Sequence, residues 1–162
     1  MPVLPSRLWK EMPAEKRLAA AEAFWRDEQG RDQQVEAVVM LARRLNFRAK
    51  SVQALPVERR AKHLAQVSDV SDMIASRALV AYHFTSERPL MAAFLDALGI
   101  AHEDGVITAE EVPAPDAALL AAAVLKLRAA FPADAVDLYL RTLVVLDGDT
   151  WAGIDALLPV SH

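Results

Sequence analysis

Apolar residues recur along this chain at three- and four-residue spacing, and proline or glycine interrupts them at intervals typical of helix ends. Pro13 opens the first strong pattern, in which Ala14, Leu18, Ala21 and Trp25 form one stripe and Gly30 closes the helix. Glu15 stands in its first turn, where a carboxylate suits the helix dipole. Glu22 and Arg26 have the spacing and order of a favourable i,i+4 ion pair. A second helix is predicted from about Asp32 to Leu45, with Val35, Val38, Val39, Ala42 and Leu45 on its inner face. A short helical piece follows over 49–54, and Pro56 then opens a helix with Val57, Ala61 and Leu64 on one stripe.

The next helix is read over Ser71–Phe84, with cap candidates between Ser68 and Asp72. Another starts near Pro89, carries Leu90, Phe94, Leu95 and Leu98 inward, and stops at Gly99. Residues 100–115 form the one long irregular stretch. Within it Asp104-Gly105 reads as a turn, and Val106-Ile107-Thr108 as a short extended piece. A very apolar helix over Asp116–Phe131, one over Pro132–Leu146 and a short one over Thr150–Leu158 complete the chain. The predicted fold is all-α: seven or eight helices in a compact bundle or short helical-repeat array, with no sizeable sheet.

The helix starts resemble one another. Met12-Pro13-Ala14-Glu15 lines up with Leu55-Pro56-Val57-Glu58, Phe131-Pro132-Ala133-Asp134 opens the same way, and an offset of 76 carries Pro13 and Pro56 onto Pro89 and Pro132. One reading is a worn duplication, about 1–86 and 87–162, or an α-solenoid with a period near 40 residues. The other is convergence, because an apolar residue, proline and an acid start any helix well. Outside these positions the internal similarity is poor, and the expectation is a single helical domain over 1–162.

Composition narrows the chemistry. At 54 % hydrophobic residues, the 162-residue chain has enough apolar surface to bury a core. It contains no cysteine, which removes disulfides, thiolate catalysis, iron–sulfur clusters and Cys-based zinc sites. The first ten residues hold no apolar signal core, and Ala117–Ala130, the most apolar run, is interrupted by Lys126 and Arg128. It is also shorter than the ~20 residues a membrane span requires. Cytoplasmic localisation without membrane attachment is expected, with this run as a buried helix.

Catalytic signatures are missing. Glycines stand only at 30, 99, 105, 148 and 153, so there is no phosphate-cradling or dinucleotide-binding loop. None of His63, His83, His102 and His162 follows a Glu by three residues, as helical di-iron sites require. Asp147, Asp149 and Asp155 sketch a calcium loop. Trp151, Ala152 and Leu158, however, occupy positions that need an oxygen, a glycine and a glutamate, so Asp149 or Thr150 is expected to cap a helix there instead. His63, Asp72, His83 and His102 are the side chains from which an acid–base cleft would be assembled, although nothing in the sequence brings them together. Trp9, Trp25 and Trp151 are expected in the core. No cofactor or metal is expected, and the balance leans away from an enzyme.

Charge is what gives a functional lead. The net charge of −4 is uneven: residues 1–90 hold 15 Lys/Arg against 11 Asp/Glu, while residues 91–162 hold 3 against 11. Arg43, Arg44, Arg48, Lys50, Arg59, Arg60 and Lys62 crowd into one segment opposed only by Glu58. Guanidinium forks suit carboxylates and phosphates, so this segment is the candidate partner-binding face, for another protein or for self-association. A non-enzymatic interaction or adaptor module is the leading function. Two alternatives stand beside it. One is a small-molecule binder or enzyme with a cavity between the apolar helices; the other, disfavoured by the acidic total, is nucleic-acid backbone binding through the basic segment.

Overall fold

The structure, a computed structural model, describes residues 3–159. Among them are ten α-helices, two 3₁₀ segments and one two-stranded hairpin, so the protein is all-α. Contacts divide the chain into two compact units, Val3–Thr85 and Ser86 onward. The helix count exceeds the expected seven or eight because three short helices add to the long ones.

The first unit holds α1 (Pro5–Glu11), α2 (Ala14–Arg26), α3 (Arg31–Leu45), α4 (Ala49–Ala54), α5 (Val57–Ala65) and α6 (Asp72–Ser86), the last residue of α6 lying past the boundary. Pro13 and Pro56 take extended backbone just before α2 and α5, and their carbonyls accept the first helical N–H groups. α2 lies against α5, where Ala20, Ala21 and Ala61 are fully buried and let the two backbones approach beside Phe24 and Leu64. α1 was not predicted. A seven-residue helix is marginal alone, and tertiary contacts hold this one: Trp9 is buried, its Nε1–H donates to the Val67 carbonyl at 2.7 Å, and the Ser6 N–H donates to Asp72 Oδ1 at 3.0 Å.

The α2–α3 corner rests on side chains. Asp27 Oδ1 accepts the Gln29 N–H, and its other oxygen pairs with Arg77 of α6. Gln34 Nε2 donates to the Phe24 and Asp27 carbonyls at 2.9 and 2.7 Å, a second donor to each beside the Asp27 and Gly30 N–H groups. α3 ends on Asn46 in the left-handed conformation, with the Phe47 N–H returning to the Ala42 carbonyl. Ser71 caps α6 by accepting the Ile74 N–H.

Two sequence expectations are corrected in this unit. The buried residues of α3 are Ala37, Val38 and Leu41, while Val35 and Val39 are 60 % and 44 % exposed. The covered stripe is turned by about one residue, because Gln34 is drawn inward to the carbonyls of α2. Arg26 pairs across helices with Glu58 at 3.1 Å rather than with Glu22.

The second unit holds α7 (Arg88–Leu98), a hairpin of β1 (His102–Glu103) and β2 (Val106–Ile107), α8 (Ala117–Ala130), α9 (Ala133–Leu146) and α10 (Gly148–Trp151), followed by 3₁₀ turns over Ala152–Leu157. Asp104 and Gly105 both have positive φ, as a two-residue primed turn demands, and pair His102 with Ile107 and Glu103 with Val106. The core gathers on Phe94, whose ring lies 5.5 Å from Tyr139 and 5.7 Å from Trp151. Arg128 and Asp137, 2.9 Å apart and half-buried, tie α8 to α9. α8 was expected to be a buried helix. Its Leu120, Ala123, Val124 and Leu127 are covered, but Leu119 and Leu125 face solvent. Asp147, not Asp149 or Thr150, caps α10 by accepting the Thr150 N–H.

Candidate functional site: a basic cleft in the first unit

The α2–α3 corner sets Trp25 at the end of α2 beside the first turns of α3, and α5, packed along α2, lays Arg60 across it. The Arg60 guanidinium carbon lies 5.0 Å from the centre of the Trp25 ring, a cation–π contact on a ring only 5 % exposed. Phe24 braces that ring edge-on at 5.1 Å. Next to this pair opens a cleft of about 270 Å³ lined by Trp25, Arg31, Gln34, Val35, Val38, Gln53 and Arg60.

Two donors at this cleft are unsatisfied. Trp25 Nε1–H and Arg60 Nε–H are both buried without an acceptor. A buried N–H left this way costs about 1–3 kcal/mol. Arg31, exposed on the rim, forms no ion pair among the described residues.

Six residues of the predicted basic face, Arg43, Arg44, Arg48, Lys50, Arg59 and Lys62, are exposed, and Arg60 is half-buried against Trp25. Arg43 and Arg44 close α3, Arg48 precedes α4, Lys50 lies on α4, and Arg59 and Lys62 lie on α5. Among the described residues, only Arg44 of the seven meets a carboxylate, Asp69 at 3.2 Å. Glu58, the acid inside the segment, is engaged by Arg26. On α3 the sequence Arg31, Val35, Val39, Arg43 runs at four-residue steps, so two exposed valines lie between two cations on one helical face. Phe47, 45 % exposed, stands just beyond the end of that helix.

Sequence reasoning found the cations but not the cleft. Trp25 and Val35 were assigned to the core, and Arg31, Gln34 and Gln53 carried no signal of their own. The i,i+4 run from Arg31 to Arg43 was the pattern available to find the face, and its valines made it look like a buried stripe.

The histidines have separate local roles. His83 is 2 % exposed on α6; its Nδ1–H donates to the Leu79 carbonyl at 2.8 Å, and burial pushes its pKa down to about 4. His102 accepts the Gly105 N–H on Nδ1 and donates from Nε2 to Asp96 at 2.6 Å, which locks the hairpin to the end of α7. Asp72 is held below the usual carboxylate range by its hydrogen bonds with Ser6. His63 lies in the last turn of α5, and His162 lies outside the described residues. Among the described residues no three His, Asp or Glu side chains gather as a metal-holding group, and no helix is long and apolar enough to cross a membrane.

No protein-family model, curated protein or solved structure matches this chain.

Proposed function

We propose that the first unit is a protein-interaction module that docks an acidic, partly apolar segment of another protein on the face formed by α3, α4 and α5. The carrying observation is the open cleft beside the Arg60–Trp25 pair, with the unpaired Arg31 on its rim and the exposed Val35 in its wall. A partner carboxylate entering there would take up charge-assisted hydrogen bonds, while apolar side chains beside it would cover Val35 and Val39. The remaining cations without a carboxylate partner among the described residues, Arg43, Arg48, Lys50, Arg59 and Lys62, would steer encounter and set salt dependence. Exposed valines favour a protein segment over a nucleic-acid backbone, for which uncharged aliphatic surface offers nothing. The compartment that goes with this reading is the cytoplasm.

The test is fluorescence polarisation with a labelled twelve-residue peptide alternating Glu or Asp with Leu, beside a Lys–Leu control. The acidic peptide should bind with Kd on the order of micromolar and weaken as salt rises. Replacing both Arg31 and Arg60 by Glu should reduce affinity at least ten-fold. Equal binding by the charge-reversed protein, or no binding to the wild type, would sink the proposal. A single-stranded oligonucleotide that outcompetes the peptide would overturn it in favour of phosphate recognition.

A further inference from the structure

The second unit contains a ligand-sized cavity that the basic face does not involve. Residues 109–115 cross its surface as a strap without regular structure. One end is anchored where the Thr108 N–H meets the Ala101 carbonyl at 3.0 Å, the other where Asp116 caps α8 through the Ala118 and Leu119 N–H groups. Between these anchors the strap makes no hydrogen bond among the described residues, and Pro113 and Pro115 deprive it of two donors. Beneath it lies an open cavity of about 470 Å³, within the range of small-molecule sites.

Its walls are chemically one-sided. Leu98, Ile100, Val112 and Leu119 supply apolar surface, and Glu111 and Asp116 are its charged lining residues, with no Lys, Arg or His among them. α7 ends at this wall on Leu98 and Gly99, so the negative end of an eleven-residue helix adds to the same sign of potential. The positive end of α8 is offset by the Asp116 carboxylate that caps it. The nearest cations in sequence are engaged or outside the lining: Arg88 pairs with Asp104, Arg128 pairs with Asp137, and Lys126 is exposed on α8. Glu111 has no cationic partner among the described residues.

We infer that this cavity binds a small apolar molecule bearing one ammonium group, with the apolar body against Leu98, Ile100 and Leu119 and the ammonium at Glu111. An apolar wall alone would accept neutral molecules and anions as well; Glu111 and the end of α7 select the cation. The strap, tied only at its ends, supplies the entry route.

The experiment titrates the full chain with three probes of one shape: 4-phenylbutylamine, 4-phenylbutanol and 4-phenylbutyrate. Amide shifts are followed by heteronuclear NMR. The amine should bind most tightly and the acid least, at least ten-fold apart, with shifts concentrated at 98–101 and 109–119. Glu111→Gln, at an exposed position, should weaken the amine roughly two- to five-fold, the scale of a solvent-screened ion pair, and leave the alcohol unchanged. Leu119→Trp, which fills the cavity from an exposed helix position, should abolish all binding. The chain with Arg31 and Arg60 reversed should bind the amine as the wild type does, which separates this site from the peptide face. Amine and acid binding alike, an amine affinity indifferent to Glu111→Gln, shifts centred elsewhere, or no binding by any probe at millimolar concentration would each overturn the inference.

Discussion

His83 makes the stability of this protein depend on pH in a defined window. Its ring is 2 % exposed on α6, and its Nδ1–H is committed to the Leu79 carbonyl, so a second proton must go to the buried Nε2. Loss of solvation pushes the pKa down to about 4; the Leu79 hydrogen bond opposes this and the Lys16 charge reinforces it. In the unfolded chain the ring titrates near 6.5. As pH falls from 6.5 to 4, the unfolded state therefore takes up a proton that the folded state refuses, and stability declines. It is fully present above about 6.5 and, for this group, levels off below about 4. At about 1.4 kcal/mol per pKa unit the total is roughly 3 kcal/mol, of which about 2 is already lost at pH 5. Urea unfolding followed by circular dichroism, at pH 7, 6, 5 and 4.5, measures it when wild type is compared with His83→Gln. The carboxylates titrate in both proteins, so the difference isolates His83. Wild type should lose about 2 kcal/mol more than the variant between pH 7 and 5. A difference that stays flat across that window, or an NMR titration of His83 centred near 6.5, would refute the reasoning.

Three further predictions concern single residues. Gly105 has φ +88°, and an added Cβ would stand 2.9 Å from Met91 Cβ and 3.2 Å from the Arg88 carbonyl oxygen, so Gly105→Ala should cost about 2–4 kcal/mol in thermal unfolding. Gly99 also has positive φ but open space around it, so Gly99→Ala should cost only about 1 kcal/mol; equal costs would mean that the close approach to α7 contributes nothing. Trp9→Phe keeps an aromatic ring but leaves the Val67 carbonyl without its donor, a loss of about 1–2 kcal/mol. Hydrogen exchange should place that loss in α1, and an unchanged α1 would contradict the account of how so short a helix is held.

Local chemistry was legible wherever it acts within one helical turn. Pro13, Pro56 and Pro132 start helices because they offer fixed φ and a carbonyl acceptor at positions that need no N–H. Gly99 stops α7, and Asp104-Gly105 turns the chain, because few residues accept positive φ. Leu90, Phe94, Leu95 and Leu98 are buried as their spacing implied, since no polar residue competes for that face of α7. Of the candidate site, the cations were legible as composition, and their exposure follows from the cost of burying unpaired charge.

By itself, then, the sequence determined the all-α class, the places where most helices begin and end, and the stretch that carries the positive charge, because propensity, capping and charge are properties of a few neighbouring residues. Tertiary structure decided which side of each helix is covered. On α3 the core took Gln34 toward the Phe24 and Asp27 carbonyls and left Val35 and Val39 outside, a choice that hydropathy alone would reverse. It also decided that Arg60, rather than any other arginine of its segment, lies over Trp25, thirty-five residues away in sequence, and that Trp9 finds Val67 and so makes α1 a helix at all. Those outcomes depend on packing between elements distant along the chain, which no window of neighbouring residues contains.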